Sequence, residues 1–435
     1  MKLVINLVIF LLFSLHTVTA QVTKEQKSEA IDSVIKLMNE RYIFPETAKQ
    51  IELHLRKQQS KKAYDTITSA DGFASQLTTD VRSICNDKHV TIRYSAEPLV
   101  INRNNDFMQI SEEERKGYAE FLRLENYGVK KLEVLKGNIG YIDFKFLCGT
   151  EYAGDFYAAM MNYVQHTDAL IIDFRHCGGA MSDNVIPFLC SYFFADKTHL
   201  NDLYWRERNF TQQTWTQVVV PGKKYLNKPI YILTSGGTFS GAEEMAYDLK
   251  NLKRAIIIGE VTGGGANPGG SVNLTKHFNM FLPVGRAINP ITKTNWEGVG
   301  VQPDSLIMPR LALQKAHILA MQNSFNTSTD QGWKDELKRL IAQVEKETPV
   351  FTKVTFRLKG YANAKVVSVA GSFNDWSASS AKMKRQGDEW IVETIAETGK
   401  HMYKFVIDGQ WIIDPANKET EMENGYQNSV VVVKR

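Results

Sequence analysis

The sequence predicts an α/β protein with a helical amino-terminal region and a small immunoglobulin-like β-sandwich at its carboxyl end. Three observations carry this. Apolar residues repeat at helical spacing between Lys24 and Cys85. Four near-continuous apolar runs then alternate with helical segments through the middle of the chain. Beyond Thr348-Pro349 the pattern changes to short alternating strands separated by turns.

Composition agrees. The 435 residues allow two or three domains. Hydrophobic residues make up 43% and charged residues 23%, which excludes a disordered chain. The 52 Lys and Arg against 48 Asp and Glu leave +4, too small an excess to argue for nucleic acid.

Lys2 precedes the apolar run Leu3 to Phe13, and Val18-Thr19-Ala20 supplies the small residues of a cleavage site. This reads as a signal peptide over 1–20, so a secreted or periplasmic protein is expected. An uncleaved anchor is the weaker reading, because the run is short and no second apolar segment follows. A membrane span in the mature chain is therefore not expected. Cys85, Cys148, Cys177 and Cys190 allow two bridges in three pairings, or four free thiols. They form neither a CxxC nor a Cys/His cluster, so no zinc site is expected.

Ile31, Val34, Ile35, Met38 and Tyr42 mark a first helix. Pro45 opens a second, where its missing N–H is not needed. Phe73, Leu77, Val81 and Ile84 mark a third, and Val90 to Tyr94 a short strand after His89. Residues 96–136 are charged and unassigned. Ile139–Phe144, Ala169–Phe174, Pro229–Thr234 and Ala255–Gly259 are the buried strands. Asp155–Val164 and Ala242–Leu252 are helical between them. Trp333–Glu347 is an amphipathic helix ahead of the sandwich. The expected domains are 21–95 helical, 96–325 α/β, 326–349 a helical linker and 350–435 the sandwich.

Ser240 ends a glycine-containing turn after a buried strand and opens a helix. The helix start favours negative charge developing nearby. The same residues also read as a capping box, with Glu243 reaching back. A serine is a weak nucleophile without a base. His89, at a helix-to-strand junction, is either that base or a structural histidine. Gly178 and Gly179 end the Ile171–Phe174 strand, where glycines let N–H groups approach a ligand or merely form a tight turn. Glu297, among turn residues, is either an acid of the site or an inert surface group.

The segments NDKHVTI, GNIGYIDF, ALIIDFRHCGG, KPIYILTSGGTFSGAEEMAYDLKNLKRAIIIGEVTGGGANPG and INPITKTNWEGVGVQPD together resemble the carboxyl-terminal processing (tail-specific) serine peptidases. The likeness is to the branch of the tricorn core protease and the retinoid-binding protein repeats, over about 24–310. It implies a crotonase-like α/β core and hydrolysis of peptides or unfolded proteins without cofactor or metal. By position, Ser240 matches the nucleophile, His89 the base and Glu297 the acid. Gly241 and Gly178 match the oxyanion donors. Two positions depart. Gly265 stands where the best-known branch has a lysine base, and Lys88 where the tricorn-like branch has a serine bridging histidine and acid. Residues 96–136 are too few for the peptide-binding domain many relatives carry. Because the retinoid-binding repeats share the fold without being peptidases, a non-catalytic binding protein is the alternative.

In the last domain Trp376 and Trp411 stand among turns. They either fill the sandwich core or stack on sugar rings. Residues 351–435 resemble the glycogen-binding module of AMP-activated kinase, and Trp376, Lys404, Trp411 and Asn428 match its α-glucan contacts. α-Glucan is thus a second candidate partner, and an α-glucan-binding protein a second alternative.

Overall fold

A computed structural model describes residues 20–99, 112–374, 376–423 and 425–435. The expected signal peptide, apart from Ala20, lies outside them. Among the described residues no helix is long and apolar enough to cross a membrane. The chain divides into two compact units, to Ile341 and from Ala342.

The first unit opens with helices α1 (Lys24–Arg41), α2 (Pro45–Ser60) and α3 (Ala70–Cys85). Thr23 and Gln26 form a capping box at α1, and Pro45 begins α2. Strand β1 (Thr91–Tyr94) follows, then α4 (Glu112–Leu124), β2 (Val129–Leu135), β3 (Ile139–Phe144), α5 (Thr150–Val164) and β4 (Ala169–Asp173). Next come α6 (Val185–Cys190), β5 (His199–Trp205), β6 (Phe210–Trp215), β7 (Ile230–Thr234), α7 (Gly241–Asn251) and β8 (Ile256–Gly259). β9 (Gly269–Asn273), β10 (Phe278–Pro283), β11 (Gly285–Ile288), β12 (Ser305–Leu306) and α8 (Pro309–Thr327) complete the helical and α/β part, and the boundary between the units falls within α9 (Gln331–Glu347).

The central sheet has six strands in the order β12-β8-β7-β4-β3-β2. All neighbours are parallel except β2 and β3. β4 and β7 are buried along their whole length, as their unbroken apolar runs require. Residues of α5 and α7 share one core with this sheet. The carboxyl ends of β4 and β7 lead into the two glycine turns, the usual place for a ligand in such a sheet.

A second core joins the helical region to the sheet β1-β10-β9. Phe73 of α3 meets Phe278 of β10 edge-on at 5.7 Å. α3 ends at Asn86, which adopts the left-handed conformation (φ 52°) that asparagine tolerates. Arg82 then ties the next segment down, donating to the carbonyls of Lys88 and Val90 at 2.6 and 2.7 Å. The antiparallel register sets Thr91 opposite Phe281. These contacts locate His89, two residues before β1. All four cysteines are free thiols, and only Cys85 is partly exposed.

The second unit is β-rich: β13 (Phe351–Lys359), β14 (Val367–Gly371), β15 (Lys384–Gln386), β16 (Glu389–Glu397), β17 (Gly399–Ile407), β18 (Gln410–Ile412), β19 (Thr420–Glu423) and β20 (Tyr426–Val433). One sheet is β13-β16-β15, and the other is β14-β17-β20-β19 with β18 on β17. Phe356, Phe373, Tyr403 and Phe405 lie in its shared core.

The hold of the helical region on β10 is testable. Phe278→Ala, at a residue 1% exposed, should cost about 3–5 kcal/mol. Chemical denaturation followed by tryptophan fluorescence checks this; an unchanged first transition would contradict the packing described.

Candidate active site

The turn from β7 to α7 holds Ser240 at φ 53° and ψ −124°. Few side chains adopt such a backbone, and strain of this kind gathers at functional sites. The surroundings enforce it. Glu243, fully buried, accepts the Ser240 N–H at 2.8 Å. The same carboxylate accepts the N–H groups of Gly264 and Gly265 at 2.6 and 2.8 Å, and the Thr262 hydroxyl. Glu243 thus fulfils the reach-back half of the capping box. It also clamps the 262–265 loop to the Ser240 turn.

The Ser240 hydroxyl lies 3.0 Å from His89 Nε2. The His89 ring packs against Phe239 and Phe281, at centroid distances of 4.6 and 5.4 Å. Burial pulls its pKa below the ordinary histidine value, assisted by Arg82 and opposed by Asp87. A neutral imidazole is the form that accepts a proton. A pocket of about 190 Å³ opens beside it, walled by Lys88, His89, Arg93, Phe239 and Phe281. A larger pocket of about 1120 Å³, lined by Ile230, Arg254 and Ile256 among others, contains none of the candidate residues.

Gly265 now has a physical reason. A Cβ there would come within 2.3 Å of the Phe239 ring and 2.8 Å of His89 Cε1. The imidazole occupies the space a side chain at 265 would need, so a lysine base and His89 exclude each other.

The oxyanion candidates need one correction. The Gly178 N–H donates to the Lys145 carbonyl at 3.2 Å, so it is already committed. The Gly179 and Gly241 N–H groups meet no acceptor among the described hydrogen bonds. The two lie together: a Cβ on Gly179 (φ 126°) would be 2.9 Å from Ser240 Cβ and 3.5 Å from Gly241 N.

Glu297 is carried by a locked turn. Trp296, 2% exposed, donates its indole N–H to the Gly265 carbonyl at 2.7 Å. Glu297 Oε2 accepts the Ala266 N–H at 2.6 Å, and Oε1 is buried with no hydrogen-bond partner among the described residues. Burial, then the charge of Asp87, pushes the Glu297 carboxyl up to about 8. Lys88 does not bridge histidine and acid, because its Nζ bonds the Gly263 carbonyl at 2.6 Å.

Asp87 escaped the sequence reading. It is 1% exposed, and its Oδ1 lies 3.7 Å from His89 Nδ1. The sequence showed only an aspartate two residues before a candidate base. Asp87, His89 and Glu297 each offer an atom within 4.8 Å of the others, a spacing a metal ion could also use.

In the second unit, Lys404 lies between the core residues Tyr403 and Phe405 and therefore faces away from the core. Trp411 pairs with Val406 and shares that face. Trp411 is 45% exposed and meets Trp376 at 6.4 Å. Lys404 Nζ sits 5.5 Å over the Tyr426 ring. Asn428 departs from the expectation of a surface contact. It is 3% exposed, with its amide turned to the Tyr426 carbonyl and the Met402 sulfur.

Family models place these geometries. Residues 138–307 match peptidase family S41, and residues 20–121 match the amino-terminal domain of S41 peptidases in eukaryotic IRBP. The chain belongs to peptidase family S41. Residues 352–435 match the glycogen recognition site of AMP-activated protein kinase. Human 5'-AMP-activated protein kinase subunit beta-2 is 28% identical over 103 residues, 24% of this chain. The match spans about a third of that relative, 35%. A putative peptidase from Parabacteroides merdae superposes at TM-score 0.44 and 16% identity, over 65% of this chain and 90% of that one. A putative S41 protease from Bacteroides fragilis gives 0.45 and 14%, over 72% and 97%.

Gly265→Ala should displace His89 from Ser240. Peptide hydrolysis is expected to fall by about 10² or more, as for a misplaced catalytic group, with an unchanged circular dichroism spectrum. Full activity would contradict the steric account.

Proposed function

We propose that this S41 serine peptidase hydrolyses peptides or unfolded proteins with Ser240 as nucleophile and His89 as base. The 3.0 Å contact between Ser240 Oγ and His89 Nε2 carries the proposal. As Oγ bonds the scissile carbonyl carbon, its proton passes to Nε2. The carbonyl oxygen becomes an anion, and the N–H groups of Gly241 and Gly179 receive it. The proton then goes to the leaving amine as the C–N bond breaks. Water then attacks the acyl carbon, losing a proton to His89, and His89 returns that proton to Ser240 Oγ as the ester bond breaks and the acid leaves. The steps need no cofactor.

Three finer assignments accompany this one. The mostly parallel sheet with flanking helices supports a crotonase-like core. The two sheets around one core support an immunoglobulin-like second unit. The pattern of residues 1–20 supports export to the periplasm or beyond.

The second unit is proposed to bind α-glucan through Trp376, Trp411 and Lys404. The observation favouring it is that both indoles meet on a face turned away from the core. Sugar rings stack on such surfaces.

Ser240→Ala and His89→Ala should each lower hydrolysis of an unfolded protein by about 10³ or more. A gel-based cleavage assay checks this, and survival of activity in either variant would overturn the assignment. Trp411→Ala should abolish retention on a glycogen matrix; equal retention would remove the glucan reading.

A further inference from the structure

We propose that Asp87, and not Glu297, is the carboxylate that orients His89 and stabilises its charged form. This rests on the reading of His89 as base and adds a positioning residue behind it.

Three donors face Asp87. Its Oδ1 accepts the backbone N–H of His89 at 3.0 Å and lies 3.7 Å from the ring Nδ1. One oxygen thus faces both the backbone and the ring of the residue it would orient. Its Oδ2 accepts the Asn267 amide at 2.9 Å and the Tyr42 hydroxyl at 3.3 Å. Both oxygens only accept, the pattern of an ionised carboxylate. Tyr42 caps α1, so the helical region reaches into the site through this bond.

Glu297 is built differently. It takes only backbone donors, the Ala266 N–H at 2.6 Å and a weaker contribution from Asn267, and its Oε1 is orphaned among the described residues. Two carboxylates within 4.8 Å of each other resist ionising together, so the pair favours a single negative charge. The donors place that charge on Asp87. Burial and the charge of Asp87 both raise the Glu297 carboxyl, which makes it the neutral member of the pair. A neutral carboxyl cannot offset the charge on an imidazolium. The 3.7 Å gap exceeds a hydrogen bond, but such contacts often tighten only when substrate binds.

The test uses the full mature chain with ¹⁵N-labelled histidine in the Ser240→Ala background, so that His89 is titrated without catalysis. Asp87 favours the protonated ring, so Asp87→Asn should lower the His89 pKa by about one pH unit or more. Glu297→Gln exchanges one neutral group for another and should move it far less. Tyr42, Arg82, Cys85, Lys88 and Glu243 also surround these groups and stay unchanged in both variants. With Ser240 present, Asp87→Asn should reduce kcat/KM by about 10²–10⁴ and Glu297→Gln by less than about tenfold. A larger loss or a larger pKa change in Glu297→Gln than in Asp87→Asn overturns the proposal, as does an equal effect of the two. If Asp87→Asn does not fold, the Glu297→Gln arm decides alone: a loss beyond about tenfold overturns it. If the wild-type chain cleaves nothing, the peptidase reading fails, and the titration still decides the role of Asp87.

Discussion

The hydrogen bond between His89 and Ser240 joins two separately built halves. His89 arrives on the connection between α3 and β1, anchored through Arg82 and the β1–β10 register. Ser240 arrives at the start of α7, on the carboxyl end of the parallel sheet. Neither half holds the pair by itself. A 3.0 Å contact between residues 151 positions apart therefore depends on both cores being formed. Phe239 and Phe281 both pack on the ring and come from these two halves.

Much of the surrounding chemistry serves this one contact. Glu243 spends both oxygens on backbone N–H groups and Thr262, which fixes the strained turn and the 262–265 loop. Glycine at 265 leaves the imidazole its room. Gly179 takes a φ of 126° and passes close enough to Ser240 that no side chain fits between them. The site is thus made largely of backbone donors and excluded side chains, with few charged groups open to solvent.

The strands of the central sheet were legible because strands buried on both faces must be apolar throughout, as at Ile171 and Ile232. Ser240 and His89 were legible as motif positions, but their contact was not, since long-range pairing leaves no local periodicity. The commitment of the Gly178 N–H to Lys145 was invisible for the same reason. Asp87 was missed because its role comes from donors at Tyr42 and Asn267, 45 and 180 positions away. Asn428 shows the converse: a motif position does not reveal whether its side chain reaches the surface.

The central claim is that His89 activates Ser240. The direct measurement is treatment of the purified mature protein with a fluorophosphonate probe, followed by mass spectrometric location of the adduct, with His89→Ala in parallel. The account requires an adduct on Ser240 in the wild-type chain and none in the variant. A folded wild-type protein that stays unlabelled, or labelling that survives loss of His89, would contradict it.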